Sequence, residues 1–121
     1  MSKTVMVIDD SPTLRQVVSV TLVKAGYNVL EAVDGVDALK KLENSEVNLI
    51  ICDVNMPNMD GISFVKEVKS SQKHRFLPII MLTTESQNER IQAGKEAGAK
   101  AWIVKPFKPD RILSAVEKLI R

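Results

Sequence analysis

The chain has 121 residues, 45% hydrophobic and 26% charged, which is enough for one domain with its own hydrophobic core. Its formal net charge is only +2 and its 17 lysines and arginines are spread along the chain, so no basic surface for nucleic acid is expected. No apolar run approaches the ~20 residues of a membrane span, and the N-terminus lacks a signal-peptide pattern, which predicts a cytoplasmic protein without a membrane partner.

Short apolar runs alternate along the chain with segments whose apolar residues recur every three or four positions, which predicts strands alternating with helices. The predicted strands are Val5 to Ile8, Val29 to Ala32, Leu49 to Cys52, Ile79 to Leu82 and Ala101 to Val104. Runs so rich in Val and Ile predict an α/β fold, a five-stranded parallel sheet covered by helices on both faces. The second run is interrupted by Glu31 and therefore fits the edge of a sheet in the order 2-1-3-4-5.

The first predicted helix carries clear start and stop signals. Ser11 is expected to be its N-cap, Pro12 its first residue and Gly26 its end. Its apolar face is predicted to contain Leu14, Val17, Val18 and Leu22.

The helix predicted from about Asn88 to Ala97 is unusual because Ile91 is its only large apolar residue. Gly94 weakens it further, by about 1 kcal/mol relative to Ala. A helix with so little to bury belongs to the low-stability part of a fold, which suits an element that shifts on activation. We predict that this helix, the fifth strand and the last helix form a partner-binding face; the alternative is a merely solvated face.

Polar side chains follow four of the predicted strands. They are Asp9 and Asp10 after the first, Asp53 after the third, Thr83 after the fourth and Lys105 after the fifth. Because parallel strands end at one edge, where ligands bind in open α/β folds, these groups are expected to lie close together. Such a cluster suits a divalent cation and a phosphoryl group, and the carboxylates of Asp10 and Asp53 are ligands that Mg²⁺ prefers.

Taken one at a time, these residues also have ordinary structural interpretations. Asp9 and Asp10 fit a turn beside a helix N-cap, Thr83 a strand-end threonine, and Lys105 a solvated loop lysine. The functional interpretation depends on their combination.

In this order the motifs resemble those of the receiver domain of two-component response regulators, and the resemblance covers the whole chain. They are the acidic pair Asp9-Asp10, the segment Asp53-Val54-Asn55-Met56-Pro57 with Gly61, Thr83, and Lys105-Pro106-Phe107. The resemblance implies a flavodoxin-like, doubly wound fold and a single receiver domain over residues 1–121 with no effector domain. The chain looks most like the stand-alone receivers of chemotaxis.

The resemblance also implies a role for each site residue. Asp53 is the phosphoacceptor, and Lys105 and Thr83 contact the phosphoryl group. Mg²⁺ is held by Asp10, Asp53, the backbone carbonyl of Asn55 and, through water, Asp9. In the family, the positions of Asn55 and Glu85 tune the rate of dephosphorylation.

The implied switch consists of Thr83, which moves toward the phosphate, and an aromatic residue three positions before the lysine, which turns inward. That aromatic is Trp102, where Tyr or Phe is commoner. The alternative is a half-buried strand aromatic that does not move. The peptide bond between Lys105 and Pro106 is cis in the family.

The implied function is phosphorylation-activated signalling. A histidine kinase donates the phosphoryl group to Asp53, and the protein, a monomer, then changes its affinity for a target such as the flagellar motor switch. A phosphatase is a further partner, and the protein is not a turnover enzyme, although it uses small phosphodonors and dephosphorylates itself. Two alternatives stay open: a phosphorelay intermediate or phosphate sink without output, and an independent phosphatase, which would need a second acid where Asn55 stands.

Overall fold

The computed structural model describes residues 3–84 and 88–120, within which strands and helices alternate strictly. The strands are β1 Thr4–Ile8, β2 Asn28–Ala32, β3 Leu49–Asp53, β4 Ile79–Thr83 and β5 Ala101–Val104. The helices are α1 Pro12–Lys24, α2 Gly35–Glu43, α3 Gly61–Ser70, α4 Asn88–Ala97 and α5 Pro109–Leu119. The predicted alternation is therefore confirmed.

The five strands form one parallel sheet in the order β2-β1-β3-β4-β5. This confirms the doubly wound topology and places the more polar β2 at an edge. The direction of chain progression reverses between β1 and β3, which is the position where ligands bind in such sheets. Asp9 lies just beyond the end of β1, and Asp53 is the last residue of β3.

Two hydrophobic cores lie on opposite faces of the sheet, because successive strand residues point to opposite sides. In β3, Ile50 and Cys52 belong to one core and Leu49 and Ile51 to the other. Residues of α2 and α3 pack into the first core, with Ala97 of α4, whereas residues of α1 and α5 pack into the second. The two-sided burial explains why the strands read as continuous apolar runs.

Helix α1 begins and ends as predicted, but one residue predicted for its inner face is exposed. The Ser11 hydroxyl accepts a hydrogen bond from the backbone N–H of Leu14 at 3.3 Å, and Gly26 has a φ of +98°. Val17, predicted to face inward, is 47% exposed. Valines are spread around this helix, so the helical period alone did not define which side meets the sheet.

Helix α4 is as poorly anchored as its composition predicts. Over residues 91–97, Gly94 is the one buried residue. None of the helices in the described ranges combines the length and apolar character needed to cross a membrane.

Candidate functional site

Three carboxylates meet where β1 and β3 end. Each of Asp9, Asp10 and Asp53 offers one oxygen, and these oxygens lie within 4.8 Å of one another. Asp9 and Asp53 are buried, with 2% and 5% of their surface exposed, whereas Asp10 is exposed. The structure thus brings together the acidic residues whose convergence the sequence predicted.

Lys105 reaches both buried carboxylates from the loop after β5. Its Nζ lies 3.3 Å from Oδ1 of Asp53 and 3.5 Å from Oδ2 of Asp9. Burial raises the pKa of Asp53 and the nearby Asp9 charge adds to that rise, while the Lys105 ammonium and the Asn55 backbone N–H act in the opposite direction. One ammonium between two buried carboxylates leaves the site with an excess of negative charge.

Asp9 is held firmly, yet one of its oxygens has no hydrogen bond. The backbone N–H of Ser11 donates to its Oδ1 at 2.9 Å, and Nη1 of Arg15 donates to its carbonyl oxygen at 2.7 Å. Oδ2 is buried and, within residues 3–84 and 88–120, accepts no hydrogen bond. The Lys105 ammonium lies 3.5 Å from it and is shared with Asp53, so the three carboxylates keep oxygen donors that fit a hard ion such as Mg²⁺.

The segment after Asp53 is held close to the sheet by backbone hydrogen bonds. The N–H of Val54 donates to the carbonyl of Leu82 at 3.0 Å, and the N–H of Gly61 donates to the carbonyl of Val54 at 2.8 Å. A Cβ atom at Gly61 would overlap the carbonyl oxygen of Asp53 and lie 2.8 Å from the Cα of Val54. Gly61, the first residue of α3, therefore lets this helix approach the end of β3 at Asp53.

The same segment is also tied to the start of α2. Asn58, which has a φ of +69°, donates its side-chain N–H to Oδ2 of Asp34 at 2.8 Å. The backbone N–H of Asp37 donates to Oδ1 of Asp34, and together these bonds lower the pKa of Asp34 by favouring its charged form. The α2 cap thus helps to hold the loop that follows Asp53.

Thr83 and Lys105 are linked through the backbone. Thr83 is fully buried at the end of β4, and its carbonyl accepts a hydrogen bond from the N–H of Lys105 at 2.7 Å. The bond between Lys105 and Pro106 is cis, as the resemblance implies. Glu85, to which rate tuning was assigned, lies outside the described residues.

Trp102 lies on the side of β5 that faces α4. It is half-buried and packs against the core that α2 and α3 share, with its indole ring directly over Gly94. Both residues are unusual in the sequence, but their contact could not be predicted from it. The sequence holds one hint of this contact. A glycine lies inside the predicted helix, and the strand that follows carries an unusually large aromatic residue.

The role of Arg15 beside the acidic pair could not be predicted from the sequence either. Its Nε donates to Glu31 at 3.1 Å while its Nη1 binds the Asp9 carbonyl, so it holds the backbone of the acidic pair. A single arginine in an amphipathic helix carries no signal for such a role.

Comparison with known proteins agrees with this geometry. Residues 5–117 match the family described as the response regulator receiver domain. The chain is 40% identical over 117 residues to the chemotaxis protein CheY1 of Helicobacter pylori, covering 95% of this chain and 94% of that protein.

Two solved structures share the fold closely. The chemotaxis protein CheY4 of Vibrio cholerae has a TM-score of 0.94 and 45% identity, covering 98% of this chain and 99% of that chain. The receiver domain of a Pseudomonas aeruginosa sensor histidine kinase has a TM-score of 0.90 and 25% identity, covering 98% of each chain. That structure has a magnesium ion coordinated in its active site cleft.

Proposed function

Because the chain belongs to the response regulator receiver domain family, we propose that it is a phosphorylation-activated signalling protein in which Asp53 accepts the phosphoryl group. The observation that carries this proposal is the placement of Asp53. Its buried carboxylate lies 3.3 Å from the Lys105 ammonium and within 4.8 Å of the two other acids. A nucleophile, a counter-charge and a cation site therefore share one small edge of the sheet.

In the proposed reaction a carboxylate oxygen of Asp53 attacks the phosphorus of a phosphohistidine. The new bond joins Asp53 oxygen to phosphorus, and the phosphorus–nitrogen bond breaks with its electron pair leaving on the imidazole. Lys105 neutralises a phosphoryl oxygen, and the Thr83 hydroxyl donates a hydrogen bond to another. Water then attacks the phosphorus of the acyl phosphate, the phosphorus–oxygen bond to Asp53 breaks, and inorganic phosphate leaves from the restored carboxylate, at a rate that Asn55 and Glu85 tune.

The residues at this edge fit Mg²⁺, which would be held by Asp10, Asp53 and the carbonyl of Asn55, with Asp9 binding through water. When bound, Mg²⁺ supplies positive charge that relieves the repulsion between the carboxylates and the incoming phosphoryl group. Asp9 would contribute through Oδ2, which accepts no hydrogen bond in the described residues, while the Ser11 N–H fixes the carboxylate through Oδ1. The magnesium in the site of the Pseudomonas receiver supports this assignment.

The proposed output is a change in affinity at the face formed by α4, β5 and α5. Val104 on this face is 41% exposed, and Trp102 connects the face to the core. At 40% and 45% identity, the chemotaxis relatives support the flagellar motor switch as the target. We propose that the protein acts as a monomer in the cytoplasm, with its receiver domain over residues 5–117.

The function is tested by target binding. In the presence of Mg²⁺, beryllium fluoride is expected to increase binding to the flagellar motor switch protein, whereas Asp53→Asn should show no increase. The measurement is capture of the switch protein by immobilised receiver with and without the phosphoryl mimic.

If binding of the switch protein does not change when beryllium fluoride is added, the proposed output role is contradicted. If the labelled protein instead passes its phosphoryl group to a histidine of a second protein, the relay alternative is favoured. The similarity of this chain to the receiver domain of a sensor histidine kinase is a reason to test the relay alternative.

The kinase contact is proposed on α1, next to the site. Val17 and Val20 are 47% and 45% exposed, and Val17 lines a crevice that also contains Lys105 and Phe107. An apolar strip that continues into the reaction site suits a protein that must bring its phosphohistidine to Asp53.

We expect Val20→Asp to slow phosphoryl transfer from the kinase about tenfold, the equivalent of 1.4 kcal/mol of lost contact. Labelling by acetyl phosphate should not change, because Val20 does not reach Asp53. Val20 lines an apolar crevice that shares Val17 with the one containing Lys105, whereas Val23, 58% exposed on the same helix, lines neither crevice, so Val23→Asp is the matched control. Equal slowing by both variants, or with both donors, would argue against this contact.

A further inference from the structure

The indole of Trp102 rests directly on the backbone of α4. A Cβ atom at Gly94 would overlap Cζ3 of Trp102 and lie 2.8 Å from Cε3 and 3.0 Å from Cη2. These atoms belong to the outer ring of the indole, so even alanine at position 94 would need the space that this ring occupies. Gly94 is also the one buried residue between positions 91 and 97.

Two opposed effects act on the seated indole. The ring buries apolar surface against α4 and the core, which holds it inward. Its Nε1–H is buried and has no acceptor among residues 3–84 and 88–120, which favours a conformer in which water accepts this bond. The inward conformer therefore depends on close packing, and Gly94 makes that packing available.

We propose that Gly94 is a positioning residue for Trp102: the absence of a side chain at position 94 creates the seat that holds the indole inward between α4 and β5. Any side chain at position 94 removes the seat and turns Trp102 toward solvent. The proposal concerns the position of Trp102 and stands on the packing alone; only its effect on target binding rests on the proposed function.

The first test uses the fluorescence of Trp102, the only tryptophan of the chain. Gly94→Ala is expected to shift its emission to longer wavelength and to increase its quenching by iodide. Lys95→Ala is the matched control, because it changes an exposed neighbour in the same helix and should leave both signals as in the wild type. Unchanged emission and quenching in Gly94→Ala would overturn the proposal.

The second test distinguishes two effects of Gly94→Ala on stability: the loss of the seat for Trp102 and the gain in helix propensity. Alanine is the better helix former, so Gly94→Ala should raise the midpoint of urea unfolding where no indole competes for the space. We therefore expect Gly94→Ala to lower the midpoint in the wild-type background and to raise it in the Trp102→Leu background. A change of the same sign in both backgrounds would overturn the proposal.

Far-UV circular dichroism and labelling by acetyl phosphate monitor the folded state of each variant. If Gly94→Ala fails to fold, Trp102→Leu must restore folding to the double variant, and failure to do so counts against the seat. Because Gly94 is remote from the reacting groups, retained labelling with altered emission supports the seat. Loss of the seat and loss of phosphorylation at Asp53 are thus measured separately.

Discussion

Asp53→Asn is expected to abolish labelling of the protein by acetyl phosphate in the presence of Mg²⁺. In the proposed reaction of the wild type, a carboxylate oxygen of Asp53 attacks phosphorus and acetate leaves with the electrons of the broken bond. The amide of asparagine carries no charge and is a poor nucleophile, while its similar shape preserves the packing around a residue that is 5% exposed. The measurement is incorporation of radiolabelled phosphoryl groups, which should fall below detection.

Asp110→Asn is the matched control for this prediction. Asp110 is an exposed acid in the first turn of α5, so its replacement removes the same charge from the chain without touching the site. Its labelling should equal that of the wild type. Labelling of Asp53→Asn at the wild-type level would show that the phosphoryl group is carried elsewhere.

Gly61→Ala is expected to lower the free energy of unfolding by about 3 kcal/mol, because the added methyl group has no free space. It would overlap the carbonyl oxygen of Asp53 and lie 2.8 Å from the Cε of Met81. Two of the three nearest atoms belong to the backbone of Asp53 and Val54 and cannot rotate away. Urea unfolding gives the stability change, and acetyl phosphate labelling should fall as the Asp53 backbone is displaced.

Gly26→Ala separates this crowding from backbone strain. Gly26 has a φ of +98° but no neighbouring atom within 4 Å of an added Cβ, so alanine there meets only the conformational cost of about 1–2 kcal/mol. It should leave labelling unchanged. If Gly61→Ala proved no more destabilising than Gly26→Ala, the close approach of α3 to β3 would not be what requires glycine at position 61.

Local patterns in the sequence were sufficient for the elements and for the order of the strands. The strand of Leu49–Asp53 is apolar up to its last residue because both faces of the sheet are covered, and Ser11 with Pro12 marks a helix start by local hydrogen bonding and φ. The side of α1 that meets the sheet was less accessible, as Val17 demonstrates. A helix with valines around its circumference is oriented by its contacts with other elements rather than by its own pattern.

The same distinction applies to the site. Its acidic residues could be predicted because each one follows a strand, and parallel strands end at a common edge. The contacts of Lys105 with both Asp9 and Asp53 could not be predicted, nor could the lack of a hydrogen bond to Oδ2 of Asp9. Those features depend on how closely the side chains of residues far apart in the chain approach one another.

By itself, the sequence determined the strand and helix pattern, the sheet order and which residues stand at the reactive edge, because these follow from local periodicity and chain connectivity. Only the tertiary structure decided that Arg15 holds the backbone of Asp9, that Gly61 lets α3 approach Asp53, and that Gly94 seats Trp102. Each of these depends on how closely two separate elements approach, and that distance is set by packing throughout the domain.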